Sequence, residues 1–70
     1  MLLSFAKLNQ MYRVKKITGN DSVRNHLRNI GIVEDSYIKV VQEINGNMIL
    51  MVQKARVALD SSLVRRIIVE

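Results

Sequence analysis

Seventy residues, 49% of them hydrophobic, with three glycines, no proline and no cysteine, describe one domain. They exclude a disordered chain, a disulfide framework and a thiolate metal site, and the lack of cysteine fits a reducing compartment. The net charge of +5 favours an anionic partner (nucleic acid, a membrane surface or an acidic protein face), although a charge of this size also serves solubility alone.

The opening MLLSFAKL is apolar but has no basic stretch ahead of it and is interrupted by Ser4 and Lys7, which is not the layout of a signal peptide. Leu2, Leu3 and Phe5 either cap a core or stay exposed for a partner, and helix and coil both fit them. No apolar run approaches the ~20 residues of a membrane-spanning helix, and the expected location is the cytoplasm. Tyr12 to Thr18 is rich in β-branched residues and alternates imperfectly, with Tyr12, Val14 and Ile17 separated by a two-residue basic interruption; it is predicted as a strand. Gly19 to Ser22 is then a loop in which Asn20 or Asp21 can cap a helix. In that helix Val23, Leu27 and Ile30 fall on one face and leave Arg24, Asn25, Arg28 and Asn29 to the others. Gly31 stands where a left-handed stop residue belongs, and Ile32 can touch Leu27 across it.

After a polar turn, Val33 to Ser36, the segment Tyr37 to Glu43 reads as a half-buried strand. Asn45-Gly46 is the pair that most readily forms a type I′ hairpin. Met48 to Val52 is apolar on both faces and is predicted as a central strand. Lys54-Ala55 is read as a tight link to Arg56–Leu59, whose Val57 and Leu59 point one way. Asp60-Ser61-Ser62 offers a cap for one helical turn through Leu63 and Val64, and Ile67 to Val69 is a last strand. The predicted fold is mainly β: a small five-stranded barrel with one short helix after the first strand, in a single domain over residues 1–70.

Chemistry has little support. The lone His26 has no acidic residue three or four positions away, and no serine sits in a nucleophile pattern, so an enzyme is not expected. Hard metal ligands are scattered, which leaves at most a weak site pairing His26 with Asp21 or Asp35. Arg24 and Arg28 can reach phosphates, but a helix-turn-helix needs a second helix that the strands leave no room for. Three aromatic residues, Phe5, Tyr12 and Tyr37, are too few for a base-stacking platform.

The order of a strand, then Arg24, Leu27, Gly31 and Ile32 as R-x-x-L-x-x-x-G-I, then Ile38 to Val41, Arg56-Val-Ala-Leu59 and Arg66-Ile-Ile-Val69, resembles the FeoA family, ferrous iron transport protein A. The resemblance runs from about Leu8 onward. It implies an SH3-like barrel and an accessory role, without cofactor or catalytic residues, for FeoB, the membrane GTPase that takes up ferrous iron in bacteria. The expected partner-binding residues are Arg24, Arg28, Lys54 and Arg56. The chain departs from the family where Pro-Gly-type turns are common: Asn9-Gln10 and Glu34-Asp35 stand there, and Lys54 stands near a common glycine. Asp35 tolerates a left-handed conformation better than most residues. The same fold resembles the C-terminal module of diphtheria-toxin-repressor-type metalloregulators. Competing readings are such a regulatory module, a small basic nucleic-acid-binding barrel and a direct iron carrier using His26.

Overall fold

Apolar alternation becomes five antiparallel strands in the computed structural model, which describes residues 1–70. The strands are β1 (Met11–Ile17), β2 (Tyr37–Ile44), β3 (Asn47–Val52), β4 (Ala55–Leu59) and β5 (Ile67–Val69), with helix α1 (Asp21–Asn29) after β1 and the one-turn helix α2 (Ser61–Val64) before β5. They form one curled sheet in the order β4-β3-β2-β1-β5. The barrel is therefore not closed, and β4 and β5 are its edges.

Strand β1 explains the imperfect alternation. Its first half pairs with β2, from Met11 opposite Lys39 to Arg13 opposite Tyr37, and its second half pairs with β5, from Val14 opposite Val69 to Ile17 opposite Ile67. The register slips between Val14 and Lys16, so Lys15 and Lys16 both face solvent while Tyr12, Val14 and Ile17 all face the core. An inserted residue of this kind bends the strand and raises its twist.

Local chemistry sets the rest. Asn20 accepts the Val23 N–H at 3.0 Å and starts α1. The helix ends at Ile30: the Gly31 N–H donates to Arg28 O at 3.0 Å and the Ile32 N–H to Leu27 O at 2.9 Å, the two bonds of a Schellman stop. Asn45 and Gly46 both have positive φ, 52° and 86°, as a type I′ hairpin requires, and the Gly46 N–H donates to the Glu43 carboxylate at 2.7 Å. The β3–β4 turn differs from the expected Lys54-Ala55 link. Ala55 pairs with Val52, so the turn is Gln53-Lys54, and the positive φ there, 56°, is carried by Gln53. Asn9 and Asp35 likewise adopt positive φ, 64° and 74°, keeping the turns without Pro-Gly.

Fifteen buried side chains, all hydrophobic, form the core. Leu27 of α1 is part of it, and Val23 of α1 and Ile30 at its C-cap pack against it. The N-terminal segment divides its apolar residues between the two expected fates. Leu3, in a single 3₁₀ turn over Leu3–Phe5, is fully buried, whereas Phe5 is 72% exposed.

Gly31 has φ 91°, and a Cβ there would lie 3.2 Å from Val52 Cγ1. Gly31→Ala is therefore expected to cost more than about 1 kcal/mol, combining left-handed strain with a forced shift of Val52. Urea unfolding of the variant and the parent measures it.

Candidate docking surface

The four residues singled out from the sequence fall into two pairs. Arg24 and Arg28, one turn apart on α1, line a surface cavity of about 340 Å³ with Ile17, Ile32, Val33, Glu34 and Asp35. Lys54 and Arg56, both exposed, occupy the β3–β4 turn and the start of β4. Gly31, two residues past the end of α1, lies against Val52, the last residue of β3 before that turn.

They are not equally free. Arg24 Nη1 lies 3.7 Å from Glu34 Oε2, while Arg28 Nη1 donates to the Asn25 side chain at 3.2 Å and has no acidic partner. The sequence reading treated the two as equivalent; their positions across from the 34–35 turn separate them. Exposed ion pairs of this kind hold weakly, so Glu34 fixes Arg24 only loosely.

A second cationic group was not foreseen. The β1–β5 ladder sets Lys16 opposite Ile68, and the Thr18 N–H donates to Arg66 O at 2.8 Å. Lys16 and Arg66 are thus diagonal neighbours on the outer side, with Lys15 on the bulge and Arg65 at the end of α2, all four exposed. The signal was present as two dibasic steps, Lys15-Lys16 and Arg65-Arg66; only the ladder brings them together.

Arg13 has a structural task instead. Its Nη2 donates to Glu70 Oε1 at 2.6 Å and its Nη1 lies 3.8 Å from Asp35. The Glu70 hydrogen bond, then the Glu70 charge, raise the guanidinium pKa further above its ordinary value.

The whole chain, residues 1–70, matches the family model described as the FeoA domain. The chain belongs to the FeoA family. Among solved structures it is similar to an iron uptake regulatory protein FeoA, with 27% identity, a TM-score of 0.89 and coverage of 100% of this chain and 93% of that one. It is also similar to FeoA of Stenotrophomonas maltophilia complexed with zinc, described as a prokaryotic SH3-domain protein and a candidate ferrous iron transport activating factor. There the identity is 25%, the TM-score 0.82, and the coverage 100% of this chain and 89% of that one. A manganese-dependent transcriptional repressor shares the fold over 35% of its own length, at 22% identity and a TM-score of 0.91. No curated relative matches the sequence. FeoA membership ties the chain to ferrous iron transport, and the SH3-like barrel expected from the sequence is the fold observed.

No three His, Asp or Glu side chains lie close enough to hold a metal ion. His26 is exposed on a cavity of about 350 Å³ between α1 and α2, whose acidic residue is Asp60 rather than Asp21 or Asp35. Asp60 caps α2, accepting the Ser62 hydroxyl at 2.6 Å and the Leu63 N–H at 3.1 Å. The Ser62 bond first, then the Leu63 bond, lower its carboxyl pKa from 3.8, and His26 adds a small effect of the same sign.

A depressed carboxylate contributes stability that is present above its unfolded pKa and is lost as the pH falls through the folded value. Asn caps a helix as well as Asp, so Asp60→Asn isolates the charge. At neutral pH the variant is expected to melt at a lower temperature than the parent, and the gap is expected to close as the pH drops below 3.8. Thermal melts of both proteins across that range check it.

Proposed function

We propose that this FeoA-family protein is a cytoplasmic accessory of ferrous iron uptake that docks on the cytoplasmic part of a FeoB-type membrane GTPase and modulates its GTPase or transport activity. The observation that carries the proposal is the family match over residues 1–70. Two features of the molecule support it. The barrel has no clustered metal ligands, so its surface is the part suited to act on a partner. No helix is long and apolar enough to cross a membrane, which agrees with a protein that meets its transporter from one side.

Arg24, Arg28, Lys54 and Arg56 are the residues we assign to docking. Arg28, Lys54 and Arg56 carry no ion pair within the chain, so their charge is available to an acidic face, and steering by such charges raises association rates. Lys15, Lys16, Arg65 and Arg66 form the alternative face. Binding to nucleic acid is the second reading of the same charge. Exposed Phe5 and Tyr37 are the two aromatic rings left for stacking once Tyr12 is buried.

Amide NMR titration of the labelled protein with the soluble GTPase domain of the same organism's transporter tests the docking. Localised shifts on residues 24–32 and 53–59 are expected, and Arg24→Glu with Arg28→Glu is expected to weaken binding by about tenfold or more and to flatten its salt dependence. Shifts confined to residues 15–18 and 65–68 would move the face. Absence of shifts, together with oligonucleotide binding that falls steeply with salt, would replace the transporter with nucleic acid.

A further inference from the structure

The two edges of the sheet are treated differently. The outer side of β5 is covered by the chain's own start: the Met1 nitrogen donates to Val69 O at 2.7 Å, the Val69 N–H donates to Met1 O at 2.7 Å, and Leu2 bridges Ile68. The outer side of β4 is covered by nothing. Its only ladder is with β3, and no backbone bond outside the ladders involves residues 55–59.

The hairpin geometry fixes which groups that open edge presents. Val52 and Ala55 flank a two-residue turn, and the bond that closes such a turn makes them a hydrogen-bonded pair. Pairing alternates along an antiparallel ladder, so Leu50 with Val57 and Met48 with Leu59 are also bonded pairs. The peptide groups of Arg56 and Ala58 therefore point away from β3, two N–H donors and two C=O acceptors with no partner in the chain. Natural sheets blunt such an edge with charge, proline or a cover. Here one charged residue, Arg56, is the only device.

We propose that β4 is an interface with a second copy of this chain, the two β4 strands pairing antiparallel about a two-fold axis through Val57. The register is fixed by the outward peptide groups: Arg56 of each copy exchanges both hydrogen bonds with Ala58 of the other, and Val57 faces its own symmetry mate. This register suits the side chains. Arg56 directly faces a small neutral residue, and its two diagonal neighbours are the other copy's Arg56 and Asp60, one cation and one anion. Ala55 faces Leu59. At the ends Lys54 stands opposite Asp60, twice, so the two charges nearest the pairing attract. A slip of two residues would set Arg56 against Arg56, which like-charge repulsion disfavours. Self-complementarity of this kind is what a two-fold interface demands, and it identifies a second copy, rather than an arbitrary strand, as the occupant.

Sedimentation velocity of the full chain up to about 1 mM tests the proposal. The 8.0 kDa chain is expected to approach twice that mass with rising concentration. Ala58→Lys puts a cation opposite each Arg56 and is expected to weaken association by about tenfold or more. Adding Arg56→Glu to that variant restores a matched pair and is expected to restore the dimer. Both positions are exposed, and amide spectra verify the fold of each variant. Cysteine at position 57, a Val57→Cys change in a chain that has no other cysteine, is expected to form an intermolecular disulfide faster than Ser4→Cys. The facing Cα atoms of a non-bonded pair lie about 4.5 Å apart, within disulfide range. A chain that stays monomeric throughout, or a dimer indifferent to Ala58→Lys, overturns the proposal.

Discussion

Strand β1 must serve two ladders within seven residues, and most of the structure depends on how it does so. A straight strand could share its length between β2 and β5 only by turning half of its apolar side chains outward. The extra residue at Lys15 solves this by resetting the alternation, so that Tyr12 and Val14 before it and Ile17 after it all reach the core. Bending there also wraps β5 around the barrel, which places Ile67 and Val69 in the core. The Arg13 guanidinium sits at the changeover and ties Glu70 and the turn at Asp35 to it. A charged side chain in mid-strand thus stays half-buried because three segments converge on it.

What could be read from the sequence was whatever depends on neighbours along the chain. The cap at Asn20, the stop at Gly31 and Ile32 and the Asn45-Gly46 hairpin each follow from a few adjacent residues and were found where expected. Segments without a period were not resolved. Leu3–Phe5 form one 3₁₀ turn, too short to show which face is inward, and only packing decides that Leu3 goes in and Phe5 out. The β3–β4 turn was misplaced by one residue because its positive φ falls on Gln53, a residue with no preference for it. Long-range pairing accounts for the rest. Nothing local in the sequence says that Arg24 meets Glu34, or that two dibasic steps fifty residues apart become one patch.

The surface, rather than the interior, distinguishes this barrel functionally. Its core is hydrophobic, with the Tyr12 hydroxyl, which accepts the Lys7 N–H, as its one polar group, whereas the outside separates cations held in ion pairs from cations left free. Free cations stand on α1 at Arg28, around the β3–β4 turn at Lys54 and Arg56, and along the β1–β5 ladder. The open sheet edge at β4 carries Arg56 and follows directly on the turn that carries Lys54.

The closing of the sheet by β5 has a consequence for synthesis. Residues 11–17 leave the ribosome early, yet half of their hydrogen-bonding partners lie at residues 67–69. Until those residues emerge, Ile17 has no strand beside it and Val14 bonds only the turn at Asp35 and Ser36. The hairpins β2–β3 and β3–β4 can form during translation, but the barrel cannot. The barrel is therefore complete only once residues 67–69 can pair with β1, the strand nearest the start of the domain.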